Sequence, residues 1–241
     1  MSDGERRAID GAVGPLVVPY GSWDSPIEVE LVAGTAIGLA EPWLDGDDAY
    51  WLETRSSEGE RRTLLRHGLD GRTVELTPFP FRVGNRVHEY GGGSYAVDGG
   101  RVVASSQADG RLYRLDPDAL ADPVAITPEG PWRYADLWFD PRFHRLYAVR
   151  ETHDAGRPND PALVANEVVA LALDGSDGPG RVLVSGPDFV AGARPSPDGR
   201  TLAWLEWDLP DMPWDSVRLR AADVRDDGSL GDPRTVAGGP G

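Results

Sequence analysis

The sequence predicts an all-β fold, and more specifically a β-propeller, from three observations. Short apolar or alternating segments recur from residue 35 to the end of the chain. These segments group into four units of roughly 40–55 residues with four strands each, which is the period of propeller blades. An Asp-Gly or Asp-Pro turn closes the first hairpin of every unit, whereas a generic β-sandwich gives no reason for turns in register.

The first two units are recognised by their turns and alternating segments. Asp45 with Gly46, and Asp98 with Gly99, form the first hairpin turns, because both residue types tolerate a left-handed backbone. Residues 111–115 (RLYRL) alternate between polar and apolar, as a strand with one buried face does. The predicted strands are 35–42, 49–54, 62–67 and 73–77 in the first unit, and 92–97, 101–106, 111–116 and 123–127 in the second.

The last two units follow the same pattern. Asp140 with Pro141, and Asp198 with Gly199, close their first hairpins. Residues 201–205 (TLAWL) are mostly apolar, which is expected of a strand packed on both faces. The predicted strands are 133–139, 145–151, 166–173 and 181–185 in the third unit, and 189–194, 201–207, 216–224 and 233–237 in the fourth.

Residues 1–34 precede the repeats and are predicted to form an N-terminal extension. Ser25 is a suitable helix cap, Pro26 suits the first helical position, and Glu28 completes a capping box. A short helix is therefore predicted near residues 26–33. The predicted organisation is this extension followed by a partial propeller over 35–241, with blades at about 35–78, 92–128, 133–186 and 189–238.

The composition limits the classes of partner. The formal net charge is −16, and all 24 basic residues are arginines, so the chain would repel the phosphates of nucleic acid. There is no cysteine, which removes disulfides and thiolate metal ligands. No basic start is followed by an apolar run, so no signal peptide and no membrane span are expected, and a cytoplasmic location is predicted.

The sequence shows no motif for self-contained chemistry. The nearest approach to a nucleophile elbow is residues 92–96 (GGSYA), which lacks the final glycine and stands at the head of a predicted strand. We interpret glycines 91–93 as the entry to an innermost strand, where neighbouring blades leave no room for side chains. The histidines are not spaced as zinc ligands, and Asp45, Asp47 and Asp48 do not form a calcium loop. No metal and no cofactor are predicted.

The longest loops are predicted to share one face. Antiparallel strands place successive connections on alternate faces, so the second-to-third connections and the blade crossovers lie opposite the tight turns. The loops 78–90, 152–165 and 208–215 belong to this set. Long loops with many charged and aromatic residues on a rigid scaffold are typical of a binding face. For Trp207 and Trp214, packing between blades is an equal alternative to contact with a ligand or partner. The candidate substrate- or domain-facing residues are Arg86, His88, Glu89, Glu151, Trp207, Asp208 and Trp214.

Three longer motifs carry a family resemblance. They are residues 20–27 (YGSWDSPI), 86–95 (RVHEYGGGSY) and 196–215 (SPDGRTLAWLEWDLPDMPWD). These motifs resemble the N-terminal part of prolyl oligopeptidase family serine peptidases, and the nearest branch is that of the dipeptidyl aminopeptidase/acylaminoacyl-peptidase-like proteins. The resemblance extends from about residue 18 to the end of the chain.

The resemblance implies that the propeller and the catalytic domain have separate roles. In this family a propeller of seven or eight blades precedes an α/β-hydrolase domain that holds the catalytic Ser, Asp and His. We therefore expect about four blades of a larger propeller, no catalytic residue in this chain, and a cognate hydrolase domain beyond residue 241 for which the propeller gates and positions short peptides. Two alternatives stay open: a stand-alone propeller that binds a protein or peptide, and a metal-dependent lactonase-type propeller enzyme. The sequence that follows Gly241 in the gene would separate the leading interpretation from the first alternative.

Overall fold

A computed structural model of the chain describes residues 19–22, 37–119, 121–153, 156 and 163–239. The chain divides into two compact units, Met1–Ala36 and Ile37–Gly241. The described residues of the first unit form a turn, in which Ser22 donates to the Pro19 carbonyl through its backbone N–H and its Oγ. The helix predicted near residues 26–33 lies outside the described residues.

The described residues of the second unit form four antiparallel sheets of four strands each, which confirms the predicted propeller blades. Within each sheet the strands follow one another in chain order, so each blade is a meander. Blade 1 contains β1 (Ile37–Asp45), β2 (Asp48–Arg55), β3 (Arg61–His67) and β4 (Thr73–Glu75), and blade 2 contains β5 (Tyr95–Asp98), β6 (Arg101–Ser105), β7 (Leu112–Leu115) and β8 (Val124–Ala125). Blade 3 contains β9 (Trp132–Phe139), β10 (Arg145–Thr152), β11 (Ala165–Ala172) and β12 (Arg181–Val184), and blade 4 contains β13 (Phe189–Pro195), β14 (Thr201–Trp207), β15 (Arg218–Asp223) and β16 (Arg234–Gly238).

Helical structure plays a small part in the described residues. There, two short 3₁₀ helices, Ser56–Glu58 and Val87–Glu89, interrupt the strands. No helix among the described residues has the length and apolar character needed to cross a membrane.

The observed strands lie close to the predicted ones, and the differences have physical causes. β1 continues to Asp45, where it pairs with Asp48 across the tight turn. β5 begins at Tyr95 rather than at residue 92, because the Gly93 carbonyl accepts from the Asp136 N–H and the Gly93 N–H donates to the Asp136 carboxylate, so Gly93 pairs with blade 3 instead of β6. The strand boundaries are therefore set by contacts between blades as well as by local turns.

A left-handed bulge recurs in three innermost strands, β1, β9 and β13. The bulged residues are Glu41, Asp136 and Gly192, with φ angles of 51°, 53° and 59°. The register with the second strand of the blade shifts at each of these places. Glycine adopts this conformation without strain, whereas the two acidic residues need compensation from their surroundings.

The carboxylates of the two acidic bulges join neighbouring blades. Asp136 accepts hydrogen bonds from the Gly93 N–H at 2.9 Å and from the Gly192 N–H at 3.0 Å, so it connects blades 2, 3 and 4. Glu41 accepts from the Ser94 N–H at 2.7 Å and from the Ser94 Oγ at 3.1 Å, so it connects blades 1 and 2. Charged acceptors of this kind satisfy backbone donors that lie outside the strand ladders.

The crowding expected at glycines 91–93 is present. A Cβ atom on Gly92 would lie 2.8 Å from Asp136 Oδ1 and 3.1 Å from the Ala135 Cβ. The apolar core likewise lies between blades: Tyr50 belongs to a buried cluster shared by blades 1 and 2, and Trp204 to one shared by blades 3 and 4. The blades are thus held together mainly by face-to-face packing and by the bulges.

Contacts between blades divide the connections into two sets. Among the tight turns, the Asp45 carboxylate accepts from the Gly99 and Gly100 N–H groups at 3.0 and 2.7 Å. Among the long connections, the loop 78–90 contacts the end of β10 through a hydrogen bond from the His88 N–H. We call the side that carries the long connections the loop face. The loop 152–165 is described only in part.

Candidate functional site

A buried arginine anchors the start of the loop 78–90. Arg61 Nη1 donates to the Thr77 carbonyl at 2.9 Å and to the Phe81 carbonyl at 3.3 Å. Glu75 pairs with the same guanidinium at 2.7 Å, so the buried charge is compensated. The arginine therefore fixes the path of the chain as it leaves blade 1.

His88 anchors the far end of this loop on blades 3 and 4. Its backbone is left-handed, with φ 54°, and its N–H donates to Glu151 Oε1 at 2.6 Å. The ring Nε2 donates to Asn166 Oδ1 at 3.2 Å, and the ring lies edge-on to Phe189 and Trp207 at centroid distances of 5.3 and 5.6 Å. Burial lowers the pKa of His88, so the imidazole is neutral at pH 7. These contacts hold a backbone conformation that is rare outside glycine.

Charged side chains form a compact cluster beside this anchor. Glu89 accepts from Arg86 Nη2 at 2.8 Å and from Arg133 Nη1 at 2.9 Å. Glu151 is buried, accepts from His153 Nε2 at 3.0 Å and has an oxygen 3.8 Å from Arg133 Nη1. The Arg133 guanidinium lowers the pKa of the Glu89 carboxyl, which is therefore ionised at neutral pH. Glu89, with 65% of its side chain exposed, is the accessible carboxylate of the cluster.

Asp208 is connected to His88 through the backbone of Asp188. Asp208 Oδ1 accepts from the Asp188 N–H at 3.1 Å, and Arg218 donates to its Oδ2 at 2.6 Å. The hydrogen bond from Arg218 lowers the pKa of Asp208. Asn166, which accepts from His88, donates to the Asp188 carbonyl at 2.8 Å. Asp208 thus belongs to the same network, but protein groups already occupy both of its oxygens.

The two tryptophans named as candidates have different environments. Trp207 is 5% exposed and stacks on Phe189, with centroids 5.1 Å apart and 9° between the ring planes. Trp214 is 76% exposed, and Leu209 and Met212 in the same loop are exposed as well. Burial gives Trp207 a packing role beneath the loop face, whereas Trp214 presents an aromatic surface.

A cavity of about 330 Å³ opens between blades 2 and 3 beside the charged cluster. Arg86, Arg133 and His153 line one part of it, and Gln107 and Asp109 of the β6–β7 turn line another. This volume lies at the lower end of the range for ligand pockets. The sequence reasoning missed Arg133 and His153, because one opens a strand and the other follows a strand without any recognisable motif.

Ser94, the serine of the nearest approach to a nucleophile elbow, has a structural role. It is buried, and its N–H and its Oγ both donate to the Glu41 carboxylate of blade 1. Within the described part of the chain, no group of three or more His, Asp or Glu side chains is arranged to hold a metal ion.

No family model matches the chain, and no curated protein matches it. Solved structures do match. A puromycin-hydrolysing peptidase from Mycobacterium tuberculosis is 40% identical over 93% of this chain, with a TM-score of 0.82. A puromycin hydrolase is 36% identical over 92% of this chain, with a TM-score of 0.83, and a mutant puromycin hydrolase complexed with PGG gives 0.84. These matches place the chain in the propeller portion of the prolyl oligopeptidase family.

The chain spans 36% of the length of each of these three proteins. The resemblance to the prolyl oligopeptidase family, which the sequence motifs predicted, is thereby confirmed. An acylaminoacyl peptidase from Pyrococcus horikoshii, at 12% identity and a TM-score of 0.52, shares the fold alone. Within this prolyl oligopeptidase family propeller, the described loop face brings together Arg86, His88, Glu89, Glu151, Trp207 and Asp208 and leaves Trp214 exposed.

Proposed function

We propose that this chain is the non-catalytic propeller portion of a serine peptidase, and that its loop face gates and positions short peptides for an α/β-hydrolase domain. The observation that supports this best is the 40% identity to the Mycobacterium tuberculosis puromycin-hydrolysing peptidase over 93% of this chain. The dipeptidyl aminopeptidase/acylaminoacyl-peptidase-like branch and the cytoplasmic location belong to the same proposal.

Glu89 is the residue that we assign to the amino group of the peptide. A protonated amine needs an ionised carboxylate that solvent can reach, and Glu89 has both properties. Arg133 keeps this carboxylate in place, while Arg86, with 62% of its side chain exposed, can move away when an amine arrives. Glu151 and Asp208 act indirectly, because the first holds the His88 backbone and the second holds Asp188.

The first experiment tests whether the chain alone is inert. Purified protein is incubated with aminoacyl and acyl-aminoacyl chromogenic esters and with a fluorophosphonate that labels active serines. We expect no turnover and no stoichiometric labelling, because acyl transfer needs an activated nucleophile, an oriented base and oxyanion donors. Turnover that is lost when one serine is mutated would contradict the proposal.

The second experiment tests the loop face in the full-length protein that carries the hydrolase domain. Glu89→Gln should raise KM for a peptide with a free amino terminus by about tenfold and leave kcat nearly unchanged, since the contact exists in the ground state and the transition state alike. Ala in place of Glu151 or Asp208 should also raise KM more than it lowers kcat. An N-acetylated substrate is the control, because it has no charged amine for Glu89 to bind. Unchanged kinetics in all three variants would remove this assignment.

A stand-alone protein-binding propeller is the second candidate function. The exposed side chains of Leu209, Met212 and Trp214 favour it, since several exposed apolar side chains in one loop are typical of a contact surface. Under the leading proposal the same loop contacts the hydrolase domain. A nucleophile elbow encoded downstream of residue 241 would favour the peptidase, and its absence from the gene would favour the binding module.

A further inference from the structure

The innermost strands carry a second cluster, away from the loop face. Arg194 lies in β13, two residues beyond the left-handed Gly192 and just before the turn at Asp198. Trp43 and Trp138 occupy the same position relative to the bulges of β1 and β9. All three residues are therefore displaced from the bulges towards the tight turns.

Trp138 lies between the other two side chains and contacts both. The Trp43 and Trp138 rings lie 5.0 Å apart between centroids, and the Arg194 Cζ lies 4.4 Å from the centroid of the Trp138 ring. We call this group the inner-strand stack. It connects blades 1, 3 and 4, and the innermost strands of a propeller surround its central channel.

The Arg194 guanidinium has no ion pair within the described part of the chain. Its Nη1 donates to the Ala193 carbonyl at 2.8 Å and reaches the Asp136 carbonyl at 3.5 Å. The Asp136 carboxylate is already occupied, because one oxygen accepts from Gly93 and the other from Gly192. Burial lowers the pKa of Arg194, and the negative charge of Asp136 opposes this shift without reversing it.

The two remaining donor groups of the Arg194 guanidinium are arranged to bind a carboxylate. Among the described residues, Nε and Nη2 of Arg194 donate to no protein acceptor, and neither is sealed from solvent. The Nε–H and one Nη2–H of a guanidinium point in parallel from one edge of its plane, which matches the two oxygens of a carboxylate. The Trp138 ring restrains the Arg194 guanidinium and excludes water from one of its faces. Less conformational entropy is therefore lost when an anion binds.

We propose that the Arg194 edge, stacked on Trp138, binds the free carboxylate of a short peptide. A singly charged planar anion is favoured over phosphate, because the chain carries a net charge of −16 and the Asp136 carboxylate lies nearby. The carboxylate can come from a peptide C-terminus or from an acidic side chain. The site lies towards the tight turns, so it goes beyond the function proposed for the loop face and does not require the hydrolase domain.

Isothermal titration calorimetry with the purified chain tests this site. The probes are N-acetylated tripeptides, which lack the amine assigned to Glu89: one with a free C-terminal carboxylate, one amidated, and one amidated with a glutamate side chain. We expect the carboxylate peptide to bind at least about tenfold more tightly than the neutral amide, as loss of a hydrogen-bonded charge implies. Binding of the glutamate peptide would identify a side-chain carboxylate as a second source of the same ligand.

Variants connect the binding to Arg194. Arg194→Gln should reduce the affinity for the carboxylate peptide by about tenfold or more, and Arg194→Lys, which keeps the charge and loses the fork, should also weaken it. Arg200→Gln is the matched control, because Arg200 has 77% of its side chain exposed and should leave binding unchanged. Equal affinity for carboxylate and amide, tighter binding of inorganic phosphate, or full binding by folded Arg194→Lys and Arg194→Gln would each overturn the proposal.

Discussion

Asp136 joins three blades through its two carboxylate oxygens, and its replacement measures how strongly the blades depend on that connection. Alanine would remove both hydrogen bonds and leave the Gly93 and Gly192 N–H groups without a partner. Each hydrogen bond to a charged acceptor contributes about 1.5–3 kcal/mol to stability. The aspartate already holds a left-handed φ of 53°, so alanine adds little to the backbone strain at this position.

The free energy of unfolding should therefore fall by about 3–4.5 kcal/mol in Asp136→Ala, taking the lower half of the range for each hydrogen bond because both amides are only partly buried. Asp136→Gly loses the same hydrogen bonds but relaxes the backbone, so it should be about 1–2 kcal/mol more stable than the alanine variant. Asp136→Asn keeps one acceptor and should lose about 1.5–3 kcal/mol. Asp223→Asn is the control, because Asp223 has 80% of its side chain exposed and should change stability by less than about 0.5 kcal/mol.

Urea unfolding, followed by tryptophan fluorescence and by circular dichroism, gives these free energies. Both signals should change together if the blades unfold as one unit. Asp136→Ala within about 1 kcal/mol of the wild type would show that the carboxylate does not hold the blades together. If the Asp136→Gly variant is no more stable than the Asp136→Ala variant, the argument that glycine relaxes the left-handed backbone is refuted.

Three further predictions concern the positions around the site. Burial keeps the pKa of His88 in the folded protein below its unfolded value of 6.5, so the folded chain binds fewer protons and stability should fall as the pH falls below about 6.5. In His88→Asn, the decrease in the urea midpoint between pH 7.5 and 5.5 should therefore be smaller than in the wild type. An unchanged decrease would contradict this explanation. In urea unfolding, Gly92→Ala should destabilise the protein by about 1–3 kcal/mol, because its Cβ would be too close to Asp136. Gly38→Ala is the control: its Cβ would lie 3.4 Å from the Thr54 Cβ, an ordinary contact, and stability should change by less than about 1 kcal/mol. Arg61→Met should lower stability by about 1–3 kcal/mol, because the buried Thr77 carbonyl loses a charged donor while Arg55 still pairs with Glu58 and Glu75. A thermal midpoint close to that of the wild type would be the opposite result.

Strand positions could be predicted from the sequence because they depend on local chemistry. The two-residue turn between Asp98 and Arg101 needs positive φ at both central positions, and glycines at 99 and 100 meet that need. Such turns fix where each hairpin begins, and alternation then assigns the flanking strands. The four blades follow from these signals without any knowledge of how the blades pack together.

The bulges could not be predicted, because they contradict local preference. A left-handed backbone at Asp136 is unfavourable by itself and is stabilised by hydrogen bonds to Gly93 and Gly192, which are distant in the sequence. The same limit applies to the candidate site. Strand alternation assigned His88 and Trp207 to one face, but only the folded chain shows that their rings touch.

The position of the Asp136 carboxylate has a consequence for the order in which the protein opens. In a repeat protein whose units contact only their neighbours, the units at the ends can open independently of the middle. Here one side chain of blade 3 protects an amide of blade 2 and an amide of blade 4, so loss of the bulge exposes both amides in one event. The Gly93 and Gly192 amides should therefore exchange with deuterium at closely similar rates, although 99 positions separate them in the sequence. Blades 2, 3 and 4 are in this sense a single cooperative element.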